Sequence, residues 1–188
     1  MQAQNECEMK PLKEFTIPFT GLKLGKHHFD YQIDYTFFEH FEYDDFNDVN
    51  VKANLVFEKK TTLLNLHFAM SGSVNVNCDT TNEPFDQKIK GKFNLVVKFG
   101  DEYNDVHENI LIIPHGSYEV NVAQFFYELI VLSIPIKRTH PGIKDGTLQS
   151  DILKKLEELS PKGIEDKEKT SEEIDPRWNT LKKLLTDK

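Results

Sequence analysis

Apolar residues recur at every second position through much of the first hundred residues, and a chain patterned this way is confined to half-buried β-strands. Phe29, Tyr31 and Ile33 alternate with His28, Asp30 and Gln32. Val49, Val51, Ala53, Leu55 and Phe57 alternate with Asn50, Lys52, Asn54 and Glu58. After a polar turn at 59–61, Leu64, Leu66, Phe68, Met70, Gly72, Val74 and Val76 oppose Asn65, His67, Ser71, Ser73, Asn75 and Asn77. That strand is long enough to bend at Ser71-Gly72-Ser73. Beyond a turn at 79–84, Ile89, Phe93, Leu95, Val97 and Phe99 oppose Lys88, Lys90, Lys92 and Lys98. Upstream, Phe15, Ile17 and Phe19 flank Thr16 and Pro18, and the proline points to an edge strand. Two shorter strands are expected at 110–113 and 118–120.

Two helices fit among these strands. Asp34 is placed to cap a short one carrying Phe37, Phe38 and Phe41. Asn121, with Gln124 following as in a capping box, is placed to cap another over 122–134. That helix is apolar almost all round (Phe125, Phe126, Leu129, Ile130, Leu132), so burial is expected, and Pro135 stops it. Hairpins need no crossover helices, and the sequence supplies none. The expected fold class is α+β: an antiparallel, strongly curved sheet or half-barrel with a buried helix, over residues 10–140.

Past that point the composition changes. Before the cut after Ile136 the chain has 11 basic and 20 acidic residues, a charge of −9; after it 12 and 11, a charge of +1. The aromatic residues lie upstream, Trp178 excepted, and residues 160–173 form a polar run. Residues 141–188 read as a charged, mainly helical or disordered tail with two amphipathic helices. The first carries Leu148, Ile152, Leu153, Leu156 and Leu159. The second opens at Asp175-Pro176-Arg177-Trp178, an N-cap followed by proline in the first turn, and has a stripe of Trp178, Leu181 and Leu185 beside Lys182 and Lys183. The lone tryptophan suits either an anchor onto the body or a contact for a partner.

Several function classes lose support on the sequence alone. No apolar run approaches the ~18–20 residues of a membrane span, and the opening MQAQNECEMK has no apolar core of a secretory leader. With Cys7 and Cys78 the only cysteines, no disulfide framework is expected, and the cytoplasm is the expected location. There is no Gly-x-Ser-x-Gly elbow, no phosphate loop and no dinucleotide fingerprint, so no enzyme and no cofactor are expected. His27 and His28 are adjacent on a strand and point to opposite faces. The remaining histidines lack a His-x-x-x-His or Cys-x-x-Cys partner, so no metal site is expected either.

Charged surfaces carry more information. Lys88, Lys90, Lys92 and Lys98 share one strand face, either as a stripe for backbone phosphates or as lysine protection of an edge strand. Glu39, Glu42, Asp44, Asp45 and Asp48 form an acidic group, as do Asp101, Glu102, Asp105 and Glu108. Each group is either a solvated loop or a surface for a basic protein segment.

Four segments in order carry a resemblance: EFTIPFTGLKLGKHHFDYQID, VNVNCDTTNEPF, FFYELIVLSIPIKRTHP and DPRWNTLKKLL. Together they resemble the YceD family, the large ribosomal RNA subunit accumulation proteins, over about Lys10 to Leu185. The resemblance implies a bacterial cytoplasmic, non-enzymatic factor in ribosome biogenesis. Its partners would be large-subunit precursor rRNA, a basic large-subunit ribosomal protein, or both. In that family a Cys-x-x-Cys marks the central turn, with His or Cys after the helix, a set that looks like a potential metal site. Here the turn has Cys78 and Asp79 but Thr81 in the second cysteine position, and His140 follows the helix. Two modes of action remain open. In one, the lysine strand with Arg138, His140, Arg177, Trp178, Lys182 and Lys183 contacts rRNA; in the other, the acidic loops hold a basic ribosomal protein, which the −9 body favours modestly. The alternatives are a protein-interaction module unrelated to ribosomes, or a metal-dependent nuclease or hydrolase.

Overall fold

A computed structural model describes residues 12–107, 109–148 and 151–159. Contacts divide the chain into two units, Met1–Leu148 and Gln149–Lys188. In the first, strands β1 (Thr16–Ile17), β2 (Gly25–Asp34), β3 (Asp48–Lys59), β4 (Leu63–Asn77), β5 (Pro84–Gly100), β6 (Asn104–His107), β7 (Ile110–Pro114) and β8 (Val120–Asn121) are joined by helices α1 (Tyr35–Glu39), α2 (Ala123–Leu132) and α3 (Pro141–Lys144). The described part of the second unit is helix α4 (Asp151–Leu159), which carries Ile152, Leu153, Leu156 and Leu159 at helical spacing. The expected helix around Arg177, Trp178, Lys182 and Lys183 lies outside the described residues.

The alternation becomes one six-stranded sheet of order β2-β3-β4-β5-β7-β6. Along β3 every second residue is buried, from Val49 through Phe57, and the ladder keeps this parity across strands: Ile33 faces Val51, Val51 faces Gly72, and Gly72 faces Ile89. A slip of one residue would move each of these side chains into water, so burial on one face fixes the register. The β4 strand runs unbroken through Ser71-Gly72-Ser73. Glycine is needed at 72 because a Cβ there would meet the backbone oxygen of Asn50 and lie 2.7 Å from the Cα of Val51.

The sheet is mixed rather than antiparallel throughout, and it does not close. The β5–β7 pair is parallel, Val96 facing Ile110 and Gly100 facing Pro114. After Gly100 the chain lays down β6 one place further out, then turns back to insert β7 between β5 and β6. All four β6 residues are exposed, so no alternation marks this strand in the sequence. The segment 15–19 also differs from expectation. Phe15 ends a 3-10 turn, and Thr16–Ile17 alone pair, with β8, in a separate two-stranded ribbon. Pro18 has no N–H with which to extend the ladder.

One apolar cluster lies between the inner sheet face and helices α1 and α2. Asp34 caps α1 as expected, its Oδ1 accepting from the N–H of Thr36 at 3.1 Å and from the Thr36 hydroxyl. Asn121 Oδ1 accepts from the N–H of Ala123 at 2.9 Å, while Gln124 donates to Glu128 instead of closing a capping box. α2 is shorter than expected and buries one face only: Ala123, Phe126 and Ile130 are enclosed, whereas Leu132 is 82% exposed. Phe126 meets the rings of Phe15, Tyr31 and Phe68 at centroid distances of 6.0, 5.3 and 5.1 Å. Burial pushes the Tyr31 hydroxyl up to about 12. Gly91 lets the end of α2 approach: a Cβ there would lie 2.6 Å from Ser133 Oγ and 3.0 Å from Leu129 Cδ1.

Candidate nucleic-acid interface

With the aromatic residues turned inward, the opposite face of β2–β5 is polar, and none of α1, α2 and α3 covers it. Strand pairing determines which side chains become neighbours there. Gln32 faces Lys52, Lys52 faces Ser71, and Ser71 faces Lys90. In the next row Asp30 faces Asn54, Asn54 faces Ala69, and Ala69 faces Lys92. Lys88 ends the row on the other side, beyond Ser73. Alternate residues of a strand are ~6.6 Å apart, and strands two places apart ~9.6 Å. Lys52, Lys88, Lys90 and Lys92 therefore stand within one ~13 Å patch.

These rows line an open trough of about 980 Å³, its floor formed by Ala69 and Ser71, with Lys52 on one side and Lys90 and Lys92 on the other. All four lysines are exposed. Among the described residues the ion pairs are Lys60–Glu58, Arg138–Asp79 and Lys154–Asp151, so the four ammonium groups have no carboxylate partner. Carboxylates at the margin are engaged by neutral groups: Asp30 accepts from Asn54 at 2.6 Å, and Asp86 from Asn75 at 2.7 Å. Lysine is concentrated on β5 and Asp30 and Asp34 lie on β2, so positive potential is highest over the β3–β5 half of the face. Among the described residues β5 has a strand neighbour on its β7 side only from Val96 onward, so Lys88, Lys90 and Lys92 flank a stretch of edge that no described strand pairs.

Other expected contact residues are placed elsewhere. Lys98 lies on the same face, six residues beyond Lys92, outside the trough. Arg138 and His140 belong to a clasp at the end of the β4–β5 hairpin. The Arg138 guanidinium pairs with Asp79 at 3.3 Å, Arg138 N–H donates to Asp79 Oδ2 at 2.6 Å, and Asp79 N–H donates to Arg138 O at 2.9 Å. His140 N–H donates to Cys78 Sγ at 3.3 Å, its Nδ1 accepts from Gly142 N–H at 3.0 Å, and its ring meets Phe85 edge-on. Glu39, Glu42, Asp44, Asp45 and Asp48 are exposed along the α1–β3 connection. The sequence reading missed Lys52, Gln32, Asn54 and Ser71 as members of the lysine patch. Parity had already put Lys52 on the polar face, but only the inter-strand register places it two strands from Lys90.

Cys78, Thr81 and His140 do come together, yet as a donor set they do not fit a metal. Thr81 supplies a neutral hydroxyl, the Cys78 sulfur accepts the His140 N–H, and His140 Nδ1 is occupied by Gly142. Among the described residues no three His, Cys, Asp or Glu side chains are grouped to hold an ion. The Thr81 hydroxyl is enclosed beside the sulfur, short of a well-aligned hydrogen bond. Burial pushes the Cys78 thiol up, but the polar Thr81 hydroxyl beside it and donation from the backbone of His140, Thr81 and Thr80 outweigh this, bringing it from 9.0 down to about 7. The folded thiol thus gives up its proton near 7 while the unfolded chain keeps it to about 9. Between these values the unfolded state holds more protons, so stability rises with pH. We expect the melting temperature of the wild type relative to Cys78→Ser to increase from pH 7 to 9. A difference that stays flat or falls over that range would refute the clasp as described.

A model of the family described as Large ribosomal RNA subunit accumulation protein YceD matches residues 66–185. This chain belongs to the YceD family. No curated protein and no solved structure matches it. The matched stretch includes most of β4, all of β5 with its four lysines, the Cys78 turn and the clasp residues Arg138 and His140. The YceD name implies a role in the accumulation of large-subunit rRNA, and it names an accumulation factor rather than an enzyme. Among the described residues no helix is long and apolar enough to cross a membrane.

Proposed function

We propose that this YceD protein is a non-catalytic factor of large-subunit biogenesis that supports rRNA accumulation by holding the RNA on the polar face of its sheet. The supporting observation is the convergence of Lys52, Lys88, Lys90 and Lys92, unpaired among the described residues, on a face that none of α1, α2 and α3 covers. The −8 total charge does not oppose this, because charges farther than a Debye length of ~8–10 Å are largely screened. Asp30 lines the β2 end of the trough, and Asp34 and Asp86 lie beyond its lining; these acids repel a polyanion there and confine the footprint to the lysine side. The setting is the bacterial cytoplasm, and the partner is precursor rRNA of the large subunit.

Counterion release makes such binding salt-dependent. Four phosphate contacts give a slope of log Kobs against log [salt] of about −3 to −4. Titration of a large-subunit rRNA fragment should return that slope; a slope near zero, or no binding at low salt, would refute the reading. The acidic group Glu39, Glu42, Asp44, Asp45 and Asp48 supports a second reading, in which a basic ribosomal protein is held there. All five are exposed, and none has an ion-pair partner among the described residues.

A further inference from the structure

The polar-face residues that line the trough offer no ring on which a nucleobase can stack. Every aromatic residue of β2–β5 lies on the parity of the core: Phe29, Tyr31, Phe57, Phe68, Phe85, Phe93 and Phe99 are buried or partly buried against the apolar cluster. Their rings contact one another and those of the helices, as Phe68 does with Phe93, Phe125 and Phe126. The polar face of these strands carries ammonium, amide, hydroxyl and methyl groups, with the carboxylates of Asp30, Asp34 and Asp86 among them. Its only rings are the imidazoles of His28 and His67, and His67 is tied to Asn94 at 2.8 Å.

Proteins that hold single-stranded RNA combine cations with aromatic platforms, each stacked base contributing about 1–3 kcal/mol. Here the cations are present, and the polar-face side chains of the trough include no platform; the two imidazoles lie outside its lining. A duplex keeps its bases stacked on one another and offers phosphates and 2′-hydroxyls, which lysines, amides and a serine can bind. The trough suits that shape. Its floor of Ala69 and Ser71 is low, and Lys52 and Lys90 rise ~9.6 Å apart on either side. Along β5, Lys88, Lys90 and Lys92 repeat at ~6.6 Å, comparable to the separation of successive phosphates on one RNA strand.

We propose that the trough receives a phosphate ridge of an A-form RNA duplex, so the protein recognises double-helical rather than single-stranded rRNA. This rests on the RNA-binding reading above. The test uses the full chain with an RNA duplex of about 16 base pairs and, separately, each of its two strands, at one salt concentration. The duplex should bind at least ten-fold more tightly than either strand. Ala69→Tyr, which fills the floor and adds a ring without changing charge, should lower duplex affinity by about ten-fold and raise single-strand affinity, with the melting temperature as a control for folding. Equal or tighter binding of the single strands by the wild type would overturn the duplex proposal while leaving the RNA reading in place. Failure to bind any of the three RNAs would overturn both.

Discussion

Phe126→Ala is expected to lower the unfolding free energy by about 3–5 kcal/mol, the usual cost of emptying a phenylalanine site in a packed core. For a domain of this size that corresponds to a fall in melting temperature of roughly 6–20 °C. The side chain is fully buried and touches rings from three different elements: Phe15 beside β1, Tyr31 on β2 and Phe68 on β4. It therefore joins the ribbon, the sheet and α2 at one point. Collapse around the vacancy is hindered, because each neighbouring ring is also held by others; Phe15, for example, stacks on Tyr31 at 4.8 Å and meets Phe37 at 4.9 Å. Leu132→Ala, at the exposed end of the same helix, should change stability by less than about 0.5 kcal/mol. Chemical denaturation of the two variants measures both. A loss below about 1 kcal/mol for Phe126→Ala would mean that α2 is not seated on the sheet as described.

The contrast between these two positions on α2 indicates what the sequence could reveal. Alternation over residues 29–33, 49–57, 64–76 and 89–99 exposed the inner face of the sheet, because burial on one side imposes a period of two. The same reasoning placed Lys88, Lys90, Lys92 and Lys98 on the outer face. It failed at β6, where Asn104 to His107 are all exposed and leave no periodic trace. It overextended the segment 15–19, whose apolar residues alternate into the core although only Thr16 and Ile17 form ladder pairs. It misjudged α2, since a mean apolar composition says nothing about which side meets the sheet. The site was half legible for a related reason. Parity within a strand is a local property, whereas the approach of Lys52 to Lys90 requires the register of two hairpins at once. The clasp at Cys78 was visible as a turn, but the donation from His140 N–H spans 62 residues and has no local signature.

Reversing the lysine stripe with Lys88→Glu, Lys90→Glu and Lys92→Glu together is expected to lower affinity for large-subunit rRNA by at least about 100-fold near 50 mM salt. Three of the four cations of the patch become anions on a face that already carries Asp30 and Asp86, so attraction to phosphate becomes repulsion. With Lys52 alone remaining, the salt slope should fall from about −3 to −4 toward −1 or less. Folding should be little affected. The three side chains are exposed, β5 keeps its ladder to β4 from Pro84 to Lys98, and one like-charged row replaces another at the same spacing. Exposed substitutions of this kind usually shift stability by no more than about 0.5 kcal/mol each. The corresponding triple change to glutamine separates attraction from repulsion: it should reduce the slope to the same extent but cost less affinity, because no new anions are then added to repel the RNA. Measuring all three proteins across a salt series decides the matter. If the glutamate variant binds with the affinity and slope of the wild type, rRNA is held elsewhere, and the polar face of the sheet is not the interface.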